Sequence, residues 1–466
     1  MLKKIYDHSP LFIQESMLAF KSHLLQKHRR GQPYHAYMND FMRMQWMSRK
    51  EIEDYQRDLF RRVFHEAQEQ VPYYRKVFGE SGFDPLRYEG VADLKGLPIL
   101  TKEELRTRPH DFENPSRKTI YVAKTGGTTG APLLSPYDDE SMQITYAIQD
   151  HYFQTVGIRL GLPCLYLCGQ PIVPHAERSR FCRIDRTTHS LFASVHHLSP
   201  DTAGSYLRAI RAFHPVWGMG YTSFAFELAR HVLERGEEGS IRLAGFMGTS
   251  ETVTPEMRAV IEKAFGTRLF DFYSSTEGIP FVGQCAAGRY HLHPASGIIE
   301  CLDERGDPVK PGEPGKLVVT SFKQRKRPLL RFAVNDTGIL SADQDCPCGL
   351  KWPVIERICG REVEWVVNRQ GKRISQFSHQ IFKVVEHVQA SQIEQFGVER
   401  FLLRLVVPPE WRGGVREAVL SRFPEVLGHV ADLHFEFLDS IPRTAGGKCP
   451  TVISHVLDAM RMETSQ

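Results

Sequence analysis

The chain has 466 residues, of which 41% are hydrophobic and 24% are charged, and its formal net charge is +4. This length exceeds the roughly 250 to 300 residues that one hydrophobic core serves, so we expect two or more domains. The small net charge and the scattered Lys and Arg residues argue against nucleic acid as a partner. Nine cysteines spread along a long chain do not form a secreted disulfide framework, so we expect reduced thiols.

The beginning of the chain predicts helices and no membrane segment. No apolar run approaches the roughly 18 residues needed to span a bilayer. The sequence MLKKIYDHSP lacks the apolar core and cleavage site of a signal peptide, so we expect a cytoplasmic protein without a membrane partner. Helical spacing continues through residues 1–70 and ends at Val71-Pro72. An exposed face of this helical region would serve a homodimer.

The middle of the chain predicts an α/β core. Short apolar runs alternate with helical stretches across residues 101–330, as in LPCLYLCG followed by DTAGSYLRAIRAF, which favours layers with largely parallel strands. Turn residues separate short β-prone runs at 298–320, which indicates a small antiparallel subdomain. The basic cluster KQRKR at 323–327 is expected to be a solvated loop.

The end of the chain predicts a small α+β domain. EWVVNRQGKRIS indicates a hairpin that turns at 369–371. FLLRLVV and DLHFEFL have the composition of strands, and VREAVLSRF has the spacing of a helix.

A glycine- and threonine-rich segment at 125–132 reads TGGTTGAP and has the composition of a phosphate-binding loop. It lacks the GK[ST] ending of a P-loop and the GxGxxG of a dinucleotide fold. An ordinary turn is the alternative. The phosphate donors would be the backbone amides exposed by glycine and the threonine hydroxyls, from Thr125, Gly126, Gly127, Thr128, Thr129 and Gly130.

Four further segments follow this loop in order: FYSSTEG at 272–278, RFAVNDTG at 331–338, RICGRE at 357–362 and PRTAGGK at 442–448. In order and spacing, the five segments resemble those of the adenylate-forming enzyme superfamily. The likeness is closer to the phenylacetate-CoA ligase-like branch, including its capsule-biosynthesis ligase-like members. It begins near Val71 and covers most of the chain.

This resemblance implies an α/β protein with a large adenylation domain, residues 1–361, and a small mobile α+β lid, residues 362–466, which turns about Glu362. It implies activation of a carboxylic acid with ATP and Mg²⁺ to an acyl-AMP, release of pyrophosphate, and transfer of the acyl group to CoA. GREVE replaces the usual GRxDD, so Val363 displaces the second acidic residue. Transfer to an amine or hydroxyl without CoA, giving an amide, ester or cyclised product, is the alternative. A nucleotide-binding protein without catalysis is a further one.

Four charged side chains carry the implied chemistry. Glu277 is the expected Mg²⁺ ligand because a hard cation prefers carboxylate oxygen, although a plain loop carboxylate is the alternative. The ammonium of Lys448 would bridge the substrate carboxylate and the α-phosphate, unless this lysine is simply solvent-exposed. Asp336 would accept hydrogen bonds from the ribose or stabilise a turn, and Arg361 would bind ribose or phosphate.

The implied nucleotide site also includes polar and aromatic residues near two strand ends: Ser250, Glu251, Phe272, Tyr273, Ser274 and Thr276. Tyr273 offers a ring for adenine, whereas Phe272 is as readily a core residue. Aromatic side chains at Tyr221 and Phe224, with Ser223, would suit an aryl acid or belong to the core. His196 and His197 supply either a base for the acyl acceptor or hydrogen-bonded structural side chains.

Three cysteines and one histidine form a second group, namely Cys285, His291, Cys346 and Cys348. Three thiolates and an imidazole match a closed structural zinc site, and members of the branch carry such residues at similar places. His293 is an alternative ligand. Buried cysteines without a metal are the other interpretation.

Overall fold

The computed structural model describes residues 2–124, 133–361, 366–371, 373–374, 377–382, 385–442 and 450–456. The chain divides into two compact units, one of residues 1–334 with 338–358 and the other of residues 335–337 with 359–466. The fold class is mixed α/β, which confirms the prediction. Within the described ranges, no helix combines the length and the apolarity needed to cross a bilayer.

Within these ranges the helices are α1 (Leu2–His8), α2 (Leu11–Arg29), α3 (Gln32–Met44), α4 (Arg49–Gln70), α5 (Pro72–Ser81), α6 (Lys102–Thr107), α7 (Asp139–Thr155), α8 (Pro200–Phe213), α9 (Thr222–Glu234), α10 (Pro255–Phe265), α11 (Phe377–Phe382) and α12 (Arg412–Leu427). The strands are β1 (Tyr121–Lys124), β2 (Leu134–Tyr137), β3 (Cys164–Cys168), β4 (Cys182–Asp185), β5 (Ser190–Ser194), β6 (Trp217–Tyr221), β7 (Phe246–Thr249), β8 (Leu269–Tyr273), β9 (Val282–Gln284), β10 (Tyr290–Leu292), β11 (Gly297–Leu302), β12 (Pro314–Ser321), β13 (Leu329–Leu340), β14 (Val354–Arg361), β15 (Val366–Val367), β16 (Arg373–Ile374), β17 (Ala390–Gly397), β18 (Arg400–Val406), β19 (Asp432–Phe437) and β20 (Val452–Ser454).

One 12-stranded sheet has the order β11-β12-β13-β14-β10-β9-β8-β7-β6-β3-β5-β4. Strands β5, β3, β6, β7 and β8 pair in parallel, as the alternating pattern predicts. Strand β9 reverses direction against β8, and β11 pairs antiparallel with β12. The predicted antiparallel strands therefore extend the same sheet, which the local turn signals at 298–320 did not reveal.

The N-terminal helices pack on this sheet through apolar stripes. Helix α4 begins at a capping box in which Ser48 accepts the Glu51 amide and the Glu51 carboxylate accepts the Ser48 amide. Its buried side chains recur at helical spacing, namely Ile52, Leu59, Phe60, Val63, Phe64 and Ala67. Most of them join a core with the α7 residues Ala147 and Ile148, so the helical region is part of the first unit.

The second unit is a four-stranded sheet of order β19-β18-β17-β20 covered by α12. The predicted hairpin forms, with Val366 opposite Ile374 and Val367 opposite Arg373. Gly371 lies in its turn with a φ of 73°, a conformation that favours glycine. The predicted strands and helix are β18, β19 and α12. Strand β17 gave no clear sequence signal because polar residues interrupt its apolar ones, and β20 gave none because it has only three residues.

The basic cluster 323–327 is buried, and the predicted solvated loop is wrong. The last two side chains of the cluster, Lys326 and Arg327, donate hydrogen bonds to backbone carbonyls elsewhere in the first unit. The ammonium of Lys326 donates to the carbonyl of Asn114 at 2.9 Å and lies 3.3 Å from the Glu113 carboxylate. Arg327 donates to the carbonyl of Leu134 at 2.7 Å. These acceptors are distant in sequence, so the run of cations alone predicts a solvated loop. A buried cation becomes acceptable once such acceptors surround it.

Replacing Lys323 with methionine is expected to stabilise the protein at pH 7 by up to roughly 4 kcal/mol, with a gain that shrinks toward pH 10. Lys323 is 1% exposed, and burial lowers its pKa to about 7. The pKa returns to about 10.4 on unfolding. Between the folded and unfolded pKa values of Lys323, the unfolded state therefore binds more protons than the folded state. The free energy of unfolding of the wild type rises with pH through this range.

Urea denaturation at pH 7, 8.5 and 10 would measure this effect, with the exposed Lys310→Met as a matched control. A pH-independent difference between Lys323→Met and the wild type would contradict the assignment of a buried, titrating ammonium.

Gly220→Ala is expected to destabilise the fold by more than about 3 kcal/mol. Gly220 lies in β6 with a φ of 145°, and a Cβ there would stand 1.8 Å from the carbonyl oxygen of Leu167 on the neighbouring strand. Gly79→Ala is the matched control, because a Cβ at this helical position meets nothing within 4 Å. Thermal unfolding of both variants tests the contrast, and equal midpoints would refute it.

Candidate active site

Four parallel strands end at one edge of the large sheet: β5 at Ser194, β6 at Tyr221, β7 at Thr249 and β8 at Tyr273. Carboxyl ends of parallel strands meet at the same edge, which is where α/β proteins bind ligands. The predicted residues that directly follow these strands therefore gather there, namely His196, His197, Ser223, Ser250, Glu251, Ser274, Thr276 and Glu277.

Glu277 is the buried acid of this edge, with 6% of the residue exposed. The ammonium of Lys102 lies 3.3 Å from its Oε1 atom. The backbone is fixed because the Glu277 amide donates to the Ser275 hydroxyl at 3.3 Å and the Gln324 amide donates to the Glu277 carbonyl at 3.4 Å. Burial would raise the pKa of Glu277, but the Lys102 ammonium and the Ser275 hydroxyl hold it below its usual value. The side chain is therefore a carboxylate.

Glu251 is engaged with the beginning of helix α9. Its carboxylate accepts the backbone amide of Ser223 at 2.8 Å and the Ser223 hydroxyl at 3.0 Å. Tyr221, at the N-cap position, makes no side-chain cap hydrogen bond, so Glu251 supplies the cap from another strand end. Ser250 has a φ of 68°, which marks a tight turn between β7 and this cap.

The aromatic residues of the predicted site fall into two groups. Phe272 stacks on Phe281, with ring centroids 5.3 Å apart, and Phe224 is fully buried in the core beside Tyr206. For these two residues the structure fits the core alternative. Tyr221 and Tyr273 are half-buried at the carboxyl edge, with Ser274 half-buried and Thr276 exposed beside them.

The two histidines after β5 make different contacts. The Nδ1 atom of His197 lies 2.7 Å from the Ser194 hydroxyl, and burial lowers the pKa of His197. The Nε2 atom of His196 lies 3.4 Å from the carbonyl of Gly169. The ring centroid of a third histidine, His175, lies 5.7 Å from that of His196 and 6.3 Å from that of His197. His175 gave no sequence signal because its neighbours read as an ordinary loop.

Asp336 lies within strand β13 and is buried, so its predicted position in a turn is wrong. The neighbouring Asn335 has a φ of 62°, which explains why NDTG reads as a turn although the strand continues. Arg361 ends strand β14.

The phosphate-loop residues Thr125, Gly126, Gly127, Thr128, Thr129 and Gly130, as well as Lys448 and Glu362, lie outside the described residues. Strands β1 and β2 flank the loop and pair antiparallel, with Lys124 opposite Leu134. The hydroxyl of Tyr137, in β2, donates to the carbonyl of Thr276 at 3.1 Å. The hairpin that carries the loop is therefore tied to the segment that carries Glu277.

The four predicted zinc ligands come together in the structure, with all ligand atoms within 4.8 Å of one another. The sulfurs of Cys285 and Cys346 are 3.6 Å apart, and the sulfur of Cys348 is 3.5 Å from Nε2 of His291. His293 does not join them, because its Nε2 atom lies 3.0 Å from Nδ1 of the buried His151.

This donor set fits zinc. Zn–S bonds of about 2.3 Å in a tetrahedron place two sulfurs about 3.8 Å apart, close to the separation of Cys285 and Cys346. The other ring nitrogen of His291, Nδ1, lies 3.2 Å from the carbonyl of Trp352. Such a contact orients the imidazole and leaves Nε2 to face the thiols. The three sulfurs and the Nε2 atom of His291 thus have the arrangement that a zinc ion would complete.

Comparisons with known proteins show which families the chain resembles. The family described as the CapK C-terminal domain matches residues 366–455. The chain is 25% identical over 460 residues to Protein CapK of Staphylococcus aureus, covering 98% of this chain and 100% of that protein. It is 24% identical over 336 residues to a phenylacetate-coenzyme A ligase of Thermus thermophilus, covering 70% and 74%. The structure of 2-hydroxyisobutyryl-CoA ligase in complex with R3-HIB-AMP matches with a TM-score of 0.69 at 19% identity, covering 91% of this chain and 94% of that one.

The fold and these likenesses support an adenylate-forming enzyme, that is, a ligase that works through an acyl-AMP intermediate. The sequence relatives narrow this class of enzymes to one branch. These relatives confirm the resemblance of the chain to the phenylacetate-CoA ligase-like branch of these enzymes, with its CapK-like members.

Proposed function

We propose that the enzyme joins an aryl carboxylic acid to AMP, using ATP with Mg²⁺, and then transfers the acyl group to CoA. The observation that carries the proposal is Glu277, a buried carboxylate at the carboxyl edge of the parallel strands. Its segment is tied by Tyr137 to the hairpin that bears the phosphate loop. Glu277, as the metal ligand, and the loop at 125–132, as the source of phosphate donors, would therefore act on the same nucleotide.

The chain's own residues would divide the work as follows. Mg²⁺, when bound, would neutralise charge on the phosphates as pyrophosphate leaves, and Glu277 is the side chain that would hold it. The loop at 125–132 would donate to the phosphates, and Lys448 would draw the substrate carboxylate toward the α-phosphate. Asp336 and Arg361 would bind the ribose, and Glu251 would hold the beginning of α9.

Support for an aryl acid comes from the half-buried rings at the carboxyl edge. Tyr221 and Tyr273 end β6 and β8, the two strands that flank β7 in the parallel block, and would face a planar substrate. His196 is the better candidate for a base toward the acceptor, because the contact between its Nε2 atom and the Gly169 carbonyl is long at 3.4 Å. His197 is held more tightly by Ser194.

One observation favours the second candidate, transfer to an amine or hydroxyl without CoA. The C-terminal residues 366–455 match the CapK C-terminal domain, and the CapK relative covers 98% of the chain. The likeness to the Thermus thermophilus phenylacetate-coenzyme A ligase covers 70%. In the family that the chain resembles, rotation of the lid domain opens the site for the second half-reaction. The identity of the acyl acceptor would therefore be that of CapK-like proteins, which the lid domain matches.

Pyrophosphate release from ATP and Mg²⁺ across a panel of aryl and alkyl acids, with and without CoA, tests the proposal. We expect acid-dependent release that is strongest for aryl acids and turnover that CoA stimulates, with a thioester product. Release that CoA leaves unchanged, with an amide or ester when amines or alcohols are added, would select the second candidate. No acid-dependent release with any acid, although ATP binds, would reject both.

We further propose that Cys285, His291, Cys346 and Cys348 hold a structural zinc ion. All four ligand positions are filled by protein side chains, so no position remains for a substrate. The role would be to join the β9–β10 hairpin to the loop before β14, which carries Cys346 and Cys348.

A further inference from the structure

The ion pair between Lys102 and Glu277 is unexpected at a predicted metal ligand. Lys102 is the first residue of α6, and its side chain is 19% exposed. Its ammonium lies 3.3 Å from Oε1 of Glu277, whose side chain is 6% exposed. Among the side chains that the structure describes, Lys102 is the only cation paired with this carboxylate. A buried carboxylate needs such a counter-ion.

The backbone beside Lys102 is held firmly. The amide of Leu100 donates to the carbonyl of Arg331, and the amide of Ala333 donates to the carbonyl of Leu100, each at 2.9 Å. Thr101 and Glu104 then form a reciprocal capping box at the start of α6. The anchoring leaves the lysine's four-carbon side chain as the part that can move.

The ammonium and a metal ion would compete for the same carboxylate. Two cations placed about 3 Å apart repel strongly in a site with little water. If bare Mg²⁺ took the carboxylate, the ammonium would lose its partner in a mostly buried position. If the metal arrived with ATP, the phosphate oxygens would offer the ammonium a new anionic partner.

We propose that Lys102 is a positioning residue that neutralises Glu277 in the nucleotide-free enzyme and releases it to Mg²⁺ only when the metal arrives bound to ATP. The ammonium then turns to the phosphates. The site thereby binds the metal–nucleotide complex and rejects the free metal. This inference rests on the proposed role of Glu277 as the metal ligand.

Mn²⁺ serves as the probe, because its binding to the full-length protein can be followed by electron paramagnetic resonance. Without nucleotide, Lys102→Met should bind Mn²⁺ about tenfold more tightly than the wild type, since the competing charge is gone. Adding Glu277→Gln to this variant should abolish the gain. With ATP, Lys102→Met should raise KM for the metal–ATP complex about tenfold with a smaller loss in kcat, and Lys102→Arg should restore most of it.

Lys95→Met is the matched control, because Lys95 makes an exposed ion pair with Asp307 at 3.0 Å. Lys102→Gln is a second variant in case the methionine disturbs folding, which circular dichroism would show. Nucleotide-free Mn²⁺ affinity equal to that of the wild type in both folded Lys102 variants would overturn the inference, even where Glu277→Gln abolishes adenylation. Adenylation that survives Glu277→Gln would instead reject the metal-ligand role itself.

Discussion

Glu277→Gln is expected to lower acid-dependent pyrophosphate release by about 10²- to 10³-fold, the usual loss when one charge-stabilising group is removed from a reacting centre. The amide keeps the size of the side chain but loses the charge that would hold Mg²⁺. It also leaves the Lys102 ammonium, 3.3 Å away, without its carboxylate. Pyrophosphate release at saturating ATP, measured over a range of Mg²⁺ concentrations, checks the prediction.

The control for this experiment is Glu304→Gln, because Glu304 is exposed and pairs with Lys316 on the surface. Its rate should equal that of the wild type. Lys448→Ala should show a loss of similar size to Glu277→Gln but with Mn²⁺ binding intact, which separates the two roles. A Glu277→Gln enzyme that releases pyrophosphate at the wild-type rate would place the metal elsewhere.

Purified protein is expected to contain about one zinc ion per chain, and Cys346→Ser should lose it. A serine hydroxyl is a poor zinc ligand, and the remaining residues would bring Cys285, His291 and Cys348 together without a metal. The expected loss of stability is several kcal/mol, because binding of a structural zinc contributes directly to folding. Elemental analysis and thermal unfolding measure the two parts of this prediction.

Cys164→Ser reports the general cost of replacing a buried thiol, since Cys164 lies in the core outside the cluster. It should keep the zinc and lose less stability than Cys346→Ser. Wild-type protein that contains no zinc after purification without chelators, and that gains no stability when zinc is added, would favour the alternative of buried unliganded cysteines.

Much of the fold follows from local patterns. Apolar runs between amphipathic stretches predict parallel strands at the centre of the sheet, and they form there because each helix can cover one face. The Cys285 group was recognisable because only a few chemistries use three cysteines and a histidine. The prediction for Glu277 comes from the ordered segments around it.

Other features depend on partners that are distant in sequence. Lys323 is buried because the surrounding elements close over it, and its own neighbours KQRKR indicate only charge. Lys102 meets Glu277 because a segment far upstream pairs with β13. His293 pairs with His151 on α7 rather than with the thiols, since the chain turns after β10. Periodicity contains no information about such meetings.

Strand β9 is only three residues long, yet it separates the turn that bears Glu277 from Cys285, which follows it directly. Because this connection is short, we expect a change at the Cys285 sulfur to shift the position of the Glu277 carboxylate. With the proposed zinc in place, oxidants or thiophilic metals that dismantle the cluster would slow a reaction that uses no thiol. The enzyme would then behave as redox-sensitive although none of its cysteines takes part in the chemistry.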